Sequence, residues 1–406
     1  MRILLVNQAF HPDVVSSGQH LKDLAIALAE RGHNVTVVTS RRAYDDPYKL
    51  FQKCEIWRGI KIYRVFNSGF GKLTKWRRAA DFMTFLISCS MRMLSLPKPD
   101  VVLALTSPPL VSVIAVAFAN LRGAKFCYWI MDLNPDEAIA AGWLTPNSFG
   151  AKCLERLSLY SLRNAEKIVV LDRFMEKRIL DKKIPAEKVV IIPPWSHDSE
   201  IKYDEVGRSR FRALHGLQNK FVIMYAGNHS PCHPLDTILA VAKKMAEDDL
   251  QLFFCFVGGG SEHRRVKEFA LLHKLQNILC LPYQPLEQLG EVLSAADLHF
   301  VVMGNPFVGL VHPCKAYNLL RINAPILYMG PRPSHISEIL DELNNQLASA
   351  VTSHGDVTAA VKSILELKQV VFQAKRKDCV SLDGRYSKET LLPQLVAAIE
   401  STYQKN

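Results

Sequence analysis

The chain has 406 residues, of which 49% are hydrophobic, enough for two or three domains with sizeable cores, and this excludes an intrinsically disordered protein. Lysine and arginine outnumber aspartate and glutamate by 50 to 39, giving a formal net charge of +11 that favours phosphate-rich ligands, nucleic acid or an anionic membrane surface. The nine cysteines include no C-x-x-C pair, so we expect reduced thiols and a cytoplasmic location.

The first half of the chain alternates short aliphatic runs with helical patterns. A strand at 2–6, a helix near 18–31 and a strand at 34–39 form a βαβ unit. Crossovers of this length require parallel pairing of the strands. The same rhythm predicts further strands at 60–65, 101–105, 126–131, 168–171 and 189–192.

One segment departs from this rhythm. Residues 73–96 mix large apolar side chains with arginines, and Lys72 precedes them. The pattern is typical of an interfacial helix with a basic end, and it is equally typical of a core helix with solvated basic caps. Contact with a membrane surface through residues 72–92 is therefore a hypothesis.

A second series of strands follows a charged stretch at 198–212, and we place a domain boundary there. The first domain is predicted at 1–194 and the second at 195–385, with a final helix at 386–406 that packs back onto the first. The strands of the second domain are predicted at 221–225, 252–257, 278–281, 298–302 and 326–328. The fold class is α/β, with two Rossmann-like doubly wound domains.

In doubly wound folds ligands bind at the carboxyl ends of strands, so the strand-to-helix turns are the candidate sites. The loop after the first strand leads through Gly18 into a helix, where backbone amides can hold a phosphate. Simple helix-start chemistry explains that glycine equally well. Gly258 and Gly259 follow a strand of the second domain, at a position suited to phosphate or ribose, although no Walker or complete G-x-G-x-x-G motif is present.

Residues 225–233 end another strand with a dense set of polar groups. Gly227 and Asn228 are predicted ligand contacts. His233 can donate to a phosphate oxygen, and its protonation would add charge stabilisation if a diphosphate raised its pKa. A zinc site formed by His229, Cys232 and His233 is the alternative.

Two carboxylates follow the strand predicted at 126–131. Asp132 and Asp136 lie at the carboxyl end of that strand, where a ligand site is expected. The alternative for Asp132 is to cap its loop through backbone amides.

The most specific motif runs from Gly309 to Asn318. It resembles the P-x-K-x-(F/Y)-(E/N)-x-x-A-x-G-x-P signature of family-4 retaining glycosyltransferases with the GT-B fold. The matching positions are Pro313, Lys315, Tyr317, Asn318 and Pro325.

The resemblance extends over nearly the whole chain, and is greatest to the bacterial branch that builds O-antigen, capsule and colanic-acid-like polysaccharides, including N-acetylfucosaminyl transferase-like members. It implies that the two domains face a central cleft. The paired glutamates of the family fall at Leu310 and Asn318, and its arginine and lysine fall at Asn228 and His233.

The resemblance implies a retaining, metal-independent transfer of a sugar from a nucleotide-diphosphate sugar, most simply a UDP-sugar, without a cofactor. Lys315 and His233 would stabilise the leaving diphosphate, and Asp132 or Asp136 would serve the acceptor. The implied acceptor is a polyprenyl-diphosphate-linked saccharide at the inner face of the cytoplasmic membrane. The other implied donor contacts are Gly18, Gly227, Asn228, Gly258, Gly259, Tyr283, His312, Pro313, Tyr317 and Asn318.

Two other functions remain open at this stage. A non-hydrolysing sugar-nucleotide epimerase shares the two-domain architecture but needs no acceptor. A catalytically silent scaffold subunit of a polysaccharide assembly complex is compatible with the missing glutamates. Nucleic-acid binding would explain the charge, but no recognition motif supports it.

Overall fold

The computed structural model describes residues 1–13, 15–44, 46–71, 74–196, 201–343, 346–373 and 384–403. Its chain divides into two compact units. The first unit comprises Met1–Pro194, Gly309–His312 and Glu389–Asn406, and the second comprises Trp195–Val308 and Pro313–Lys388.

The first unit is built on an eight-stranded sheet with the order β3-β4-β2-β1-β5-β6-β7-β8. Neighbouring strands are parallel except β3 and β4, which form an antiparallel pair. The strands are β1 (Arg2–Val6), β2 (Asn34–Ser40), β3 (Cys54–Trp57), β4 (Ile60–Val65), β5 (Val101–Ala104), β6 (Lys125–Trp129), β7 (Lys167–Val170) and β8 (Val189–Ile191).

Helices connect these strands: α1 (Ser16–Glu30), α2 (Lys75–Leu94), α3 (Val111–Arg122), α4 (Asp136–Ala140), α5 (Phe149–Arg163) and α6 (Arg173–Asp181). On α1, Leu21, Leu24 and Leu28 are fully buried, as their helical spacing predicts. Strands β1 and β5 are buried along almost their whole length, which is typical of parallel strands covered on both faces.

The second unit is built on a six-stranded parallel sheet with the order β11-β10-β9-β12-β13-β14. Its helices are α7 (Glu205–Leu214), α8 (Asp236–Asp248), α9 (Ser261–Leu272), α10 (Leu289–Ser294), α11 (Lys315–Arg321), α12 (His335–Glu342) and α13 (Val357–Gln373). Its strands are β9 (Phe221–Asn228), β10 (Leu252–Gly259), β11 (Ile278–Leu281), β12 (Leu298–Val302), β13 (Ile326–Met329) and β14 (Ser349–Thr352).

Both faces of this second sheet are covered. Phe221 and Ile223 of β9 belong to one core cluster, which also contains residues of α8 and α13. Val222 and Met224 alternate with them and belong to a second cluster with residues of α7 and α10. The period of two along β9 therefore divides its side chains between two layers of helices, and the predicted doubly wound α/β class is confirmed.

The last helix, α14 (Lys388–Glu400), belongs to the first unit from Glu389 onward. Glu400 accepts hydrogen bonds from Arg31 at 2.8 and 2.9 Å and lies 2.8 Å from His33 Nε2. Its buried side chains are the apolar set expected from the sequence: Leu391, Leu392, Leu395, Val396 and Ile399. Residues 404–406 of the predicted helix lie outside the described residues.

The structure differs from the sequence prediction in a few places. Strands β3 and β14 were not predicted, because each is a four-residue strand whose side chains are largely exposed or half-buried. The segment Gly309–His312 lies in the first unit and not in the predicted second domain. It is held there by Leu133, whose amide donates to Leu310 O at 2.8 Å.

The segment predicted as an interfacial or core helix forms α2. The first residues of the predicted segment, Lys72 and Leu73, lie outside the described residues. One side of α2 is buried through Phe85, Leu86 and Cys89, and the opposite side is exposed. Among the described residues, no helix is both long and apolar enough to cross a membrane.

A buried ion pair ties α7 to the strands of the second unit. Arg212 Nη1 donates to Asp297 Oδ2 at 3.0 Å, and the same oxygen accepts the Val222 amide at 2.7 Å. Arg208 donates to the other carboxylate oxygen at 2.5 Å. Because Asp297 joins two arginines and a strand amide, its removal would leave several buried donors without an acceptor.

We expect Asp297→Ala to lower the free energy of unfolding of the second unit by about 3–5 kcal/mol, because it leaves a buried guanidinium unpaired. Urea unfolding of the full chain measures this. The control is Arg210→Ala on the same helix, which removes an ion pair whose arginine is exposed and should leave the midpoint close to that of the wild type. Equal midpoints for the two variants would contradict the prediction.

Candidate active site

Each sheet contains a point where the winding of the chain reverses. In the first unit β1 lies between β2 and β5, and in the second unit β9 lies between β10 and β12. Ligands of open α/β sheets bind beside the carboxyl ends of the strands at such points. The loop after β9 and the loop after β1 are therefore the places to examine.

Glycines form the carboxyl ends of β9 and β10. Gly227 and Gly258 pair in register and have φ angles of 131° and 136°, a region that favours glycine. A Cβ on Gly258 would lie 2.0 Å from Gly227 O, so no other residue fits. Gly258 and Gly259 were predicted to follow the strand. This was wrong, because their pairing with Gly227 and Asn228 extends β10 through both.

Lys315, the first residue of α11, lies against these glycines. A Cβ on Gly227 would be 3.6 Å from Lys315 Nζ. The Nζ atom is buried without a hydrogen-bond partner, and it lies 3.2 Å from the centroid of the Tyr225 ring. Burial lowers the pKa of Lys315 well below its usual value. Lys315, the residue most strongly indicated by the motif, thus has a buried amine that lies beside the backbone of a glycine.

His233 and His229 lie close to Lys315 and are uncharged. His233 Nδ1 donates to Val302 O at 2.7 Å, and His229 Nδ1 donates to Gly227 O at 2.9 Å. Burial, followed by the charge of Lys315, lowers the pKa of His233 to about 3 and that of His229 to about 2. In the free chain the hydrogen of the neutral His233 ring is on Nδ1, so its Nε2 has none to donate; protonation of His233 by a bound diphosphate stays a prediction.

The remaining predicted donor contacts divide into two groups. The Tyr283 ring lies over Gly259, where a Cβ would be 2.9 Å from its Cε2 atom, and the ring is partly exposed at the edge of the glycine pair. Asn228 is the exposed last residue of β9. Tyr317 in contrast is buried, and its ring packs against Tyr386 at 5.0 Å, so its role is in the core.

His312, a predicted donor contact, belongs to the first unit. Its Nδ1 atom lies 2.8 Å from Asp172 Oδ2, inside the first unit, and both side chains are buried. Asp172 also caps α6 by accepting the Met175 amide at 2.8 Å. Sequence spacing grouped His312 with Lys315, but residues Gly309–His312 belong to the first unit and the chain returns to the second unit at Pro313. Pro313 itself is buried, and Asn318 is half-buried in the second turn of α11.

The zinc alternative gains no support from the part of the chain that is described. His229 and His233 each direct Nδ1 to a backbone carbonyl, and Cys232 is buried.

Tyr225 is a residue of the site that was not predicted from the sequence, and its ring contacts Lys315. Its alternation with Phe221 and Ile223 indicated only a core position, and the ring indeed packs against Phe300.

In the first unit, Gly18 has a structural role. A Cβ there would lie 3.2 Å from the carbonyl carbon of Ala9 and 3.3 Å from the Phe10 amide, so the glycine lets α1 approach the loop after β1. That loop is held by hydrogen bonds, among them Gln8 N to Ser107 O at 2.7 Å. The backbone of Ala9 and Phe10 is thus the group that lies close to Gly18. A phosphate contact at Gly18 stays a prediction.

The two predicted carboxylates differ in their surroundings. Asp136 accepts a hydrogen bond from Lys182 Nζ at 2.7 Å, so it is an ion-paired residue at the start of α4. Burial, together with the charge of Glu137, raises the pKa of Asp132 to about 8. A carboxyl whose pKa lies near neutrality can exchange protons with a substrate hydroxyl, and Asp132 is the better candidate of the two.

The pKa of Asp132 gives a stability test. The folded chain keeps the proton up to about pH 8, whereas the unfolded chain loses it near pH 4, so the free energy of unfolding falls as pH rises between these values. Asparagine mimics the uncharged acid. We expect Asp132→Asn to be more stable than the wild type by about 4–5 kcal/mol at pH 8.5 and by about 1–2 kcal/mol at pH 5.

Urea unfolding at the two pH values measures this difference. The control is Asp136→Asn, which weakens the Lys182 ion pair and should not increase stability at either pH. A loss of stability in Asp132→Asn at pH 8.5 would show that the folded chain holds this carboxylate ionised.

The chain is similar to known proteins over most of its length. Residues 17–195 match the glycosyl transferase 4-like domain. The chain is 23% identical to a putative colanic acid biosynthesis glycosyl transferase, WcaI, of Escherichia coli K12, covering 79% of this chain and 81% of that protein. It is 26% identical to a probable glycosyltransferase, WbjE, of Pseudomonas aeruginosa, covering 84% of each.

Solved structures show the same fold. HepE of Anabaena, in complex with UDP and glucose, superposes with a TM-score of 0.71 at 14% identity, covering 99% of this chain and 100% of that one. WaaG, a glycosyltransferase involved in lipopolysaccharide biosynthesis, superposes with a TM-score of 0.69 at 14% identity, covering 98% and 99%.

Two doubly wound parallel-sheet units, with a glycosyl transferase 4-like match in the first, define a glycosyltransferase of the GT-B fold. The Pro313–Pro325 motif resembles the signature of family 4 of these enzymes, and the glycosyl transferase 4-like match and the two bacterial relatives agree with that resemblance.

Proposed function

We propose that the chain is a retaining glycosyltransferase that moves a hexosyl or N-acetylhexosaminyl group from a UDP-sugar to a polyprenyl-diphosphate-linked saccharide. The observation that carries the donor half is Lys315, a buried amine without a partner beside the bare backbone of Gly227 and Gly258. Such a site offers a diphosphate a hydrogen-bonding amine and close access to the chain.

The choice of UDP rests on two supports. HepE, which has the same fold, was solved with UDP and glucose, and also with UDP-glucose. Tyr283 offers an exposed ring at the edge of the glycine pair, where a pyrimidine can stack. Cell-surface polysaccharide biosynthesis is proposed because WcaI is described as a colanic acid enzyme and WaaG as a lipopolysaccharide enzyme.

In the proposed reaction, Lys315 holds the leaving diphosphate and neutralises the charge that develops on it. The leaving phosphate itself receives the acceptor proton on the same face of the sugar, which gives retention without an enzymic nucleophile. Asp132 orients the acceptor hydroxyl as a neutral hydrogen-bond donor or, once ionised, as an acceptor. None of these steps uses a metal.

A thermal-shift screen against UDP, GDP, dTDP and ADP tests the donor site. A ligand at about 100 times its Kd stabilises by about 2.7 kcal/mol, so we expect UDP to raise the Tm by about 5–10 °C. Lys315→Ala should abolish the rise and reduce kcat about 10²–10³-fold.

The control is Lys362→Ala in the same unit, whose amine is exposed and forms only a distant pair with Glu366. It should respond to UDP as the wild type does. A wild-type chain that responds to none of the nucleotides would favour a silent scaffold. That alternative has one observation behind it: Leu310, where the family has a glutamate, is buried. Turnover of donor without acceptor would favour the epimerase.

The lipid-linked acceptor is proposed because of α2. Along its exposed side run five apolar residues, each more than half exposed: Trp76, Met83, Ile87, Met91 and Leu94. Arg77 and Arg92 flank this stripe, with their guanidinium groups over the rings of Trp76 and Tyr63. An apolar stripe with basic flanks fits the surface of an anionic membrane, where such acceptors reside.

Flotation with vesicles containing anionic lipid tests this contact. We expect the wild type to float, and Arg77→Gln/Arg92→Gln to lose about tenfold or more in binding, since each basic residue contributes about 1 kcal/mol. Trp76→Ser/Ile87→Ser/Met91→Ser should lose it as well.

The matched control is Leu271→Ser/Leu272→Ser on α9, which removes equally exposed leucines from the second unit. It should float like the wild type. Absence of wild-type chain from the vesicle fraction would remove the support for a membrane-bound acceptor.

A further inference from the structure

Three basic side chains of the second unit meet at the glycine ends of β9 and β10: Lys315, His229 and His233, here called the basic cluster. Gly227 connects Lys315 with His229, because a Cβ on Gly227 would lie 3.6 Å from Lys315 Nζ and its carbonyl accepts a hydrogen bond from His229 Nδ1 at 2.9 Å. Its Nζ and the Nε2 of His229 are buried without hydrogen-bond partners. The cluster is therefore an unsatisfied polar pocket and not a closed network.

Among the described residues, no carboxylate is found to act on the pKa of Lys315, His229 or His233. The Tyr225 ring lies beneath Lys315, and Tyr225 in turn interacts with Cys232 and Tyr283. His263 lies 4.8 Å from His229, ring centroid to ring centroid. The neighbours are thus phenol, thiol and imidazole groups, and none supplies a negative charge at neutral pH.

An ammonium group buried in such surroundings is unfavourable. It loses its hydration and gains only the face of one tyrosine ring, whereas an uncharged amine loses much less. The geometry therefore favours a neutral Lys315 in the free chain. A diphosphate brought beside the same atom reverses this preference, because it supplies the missing negative charge.

We propose that a nucleoside diphosphate binds the basic cluster together with one proton, which Lys315 Nζ takes from solvent as it contacts a phosphate oxygen. This inference rests on the proposed donor function. The balance is simple: the neutral amine and a solvent proton become an ammonium, and no other bond forms or breaks.

The histidines explain why the proton goes to Lys315. Their Nδ1 hydrogens are already donated to Val302 O and Gly227 O, so in the neutral state neither ring has a hydrogen left for a phosphate. The amine of Lys315 has hydrogens and a free lone pair. Of the cluster, it is the group that can both donate to the phosphate and accept a proton.

The coupling makes donor affinity depend on pH. Below the pKa of Lys315 in the free chain the amine is charged in both states, and affinity is at its maximum. Between that pKa and the higher pKa in the complex, the Kd rises about tenfold for each pH unit, because each binding event takes up a proton. Above the second pKa the Kd levels off at its weakest value.

Titration calorimetry with UDP at pH 8, in Tris and in HEPES, counts the protons. The terminal phosphate of UDP, with a pKa of about 6, is fully ionised at this pH, so any uptake belongs to the protein. We expect uptake of about 0.5–1 proton per UDP, and a Kd that rises about three- to tenfold between pH 7.5 and 8.5.

Lys315→Arg is the matched variant, because a guanidinium stays charged in the free chain. Its proton uptake should fall to about zero and its Kd should become independent of pH. If arginine does not fit, Lys315→Met should bind UDP weakly with the same flat profile. His233→Gln, which cannot titrate, should retain the uptake.

Two results would overturn the inference: UDP binding to the wild type without proton uptake, or undiminished uptake in Lys315→Arg. Failure of the wild type to bind UDP at any pH is a different result, which contradicts the proposed donor function and this inference with it.

Discussion

The second unit depends on close contact between backbone atoms at the ends of β9 and β10. Gly258 lies so near Gly227 O that no side chain fits between them, and the register of the two strands continues to Gly259 and Asn228. This contact removes bulk at the switch point of the sheet and leaves Lys315 against bare backbone. A ligand can therefore come into direct contact with the backbone of Gly227 and Gly258.

The same contact buries basic groups, and the free chain keeps these groups uncharged. The Nζ atom of Lys315 is buried over an aromatic ring, and His229 and His233 are held neutral by burial and by hydrogen bonds to carbonyls. Buried polar groups without partners cost stability, and their persistence is typical of binding sites. The fold of this unit is stabilised elsewhere, by cores on both faces of β9 and by the Asp297 ion pairs.

Much of the fold followed from sequence periodicity, because buried parallel strands are nearly continuous apolar runs. Strands β3 and β14 were missed because short, half-exposed strands lack that signal. The site was harder to predict. The motif indicated Lys315, but spacing could not show that His312 bonds to Asp172 in the first unit, nor that Tyr317 packs in the core, since both depend on contacts distant in sequence.

The departures from the family pattern have a common direction. Where the family has two glutamates, this chain has Leu310 and Asn318, and where it has an arginine and a lysine, this chain has Asn228 and His233. Two negative and two positive charges are absent, so the balance is kept while the number of ions falls. Three of these positions, Asn228, His233 and Asn318, belong to the second unit together with Lys315, so this unit has fewer fixed charges at its motif positions than the family pattern has.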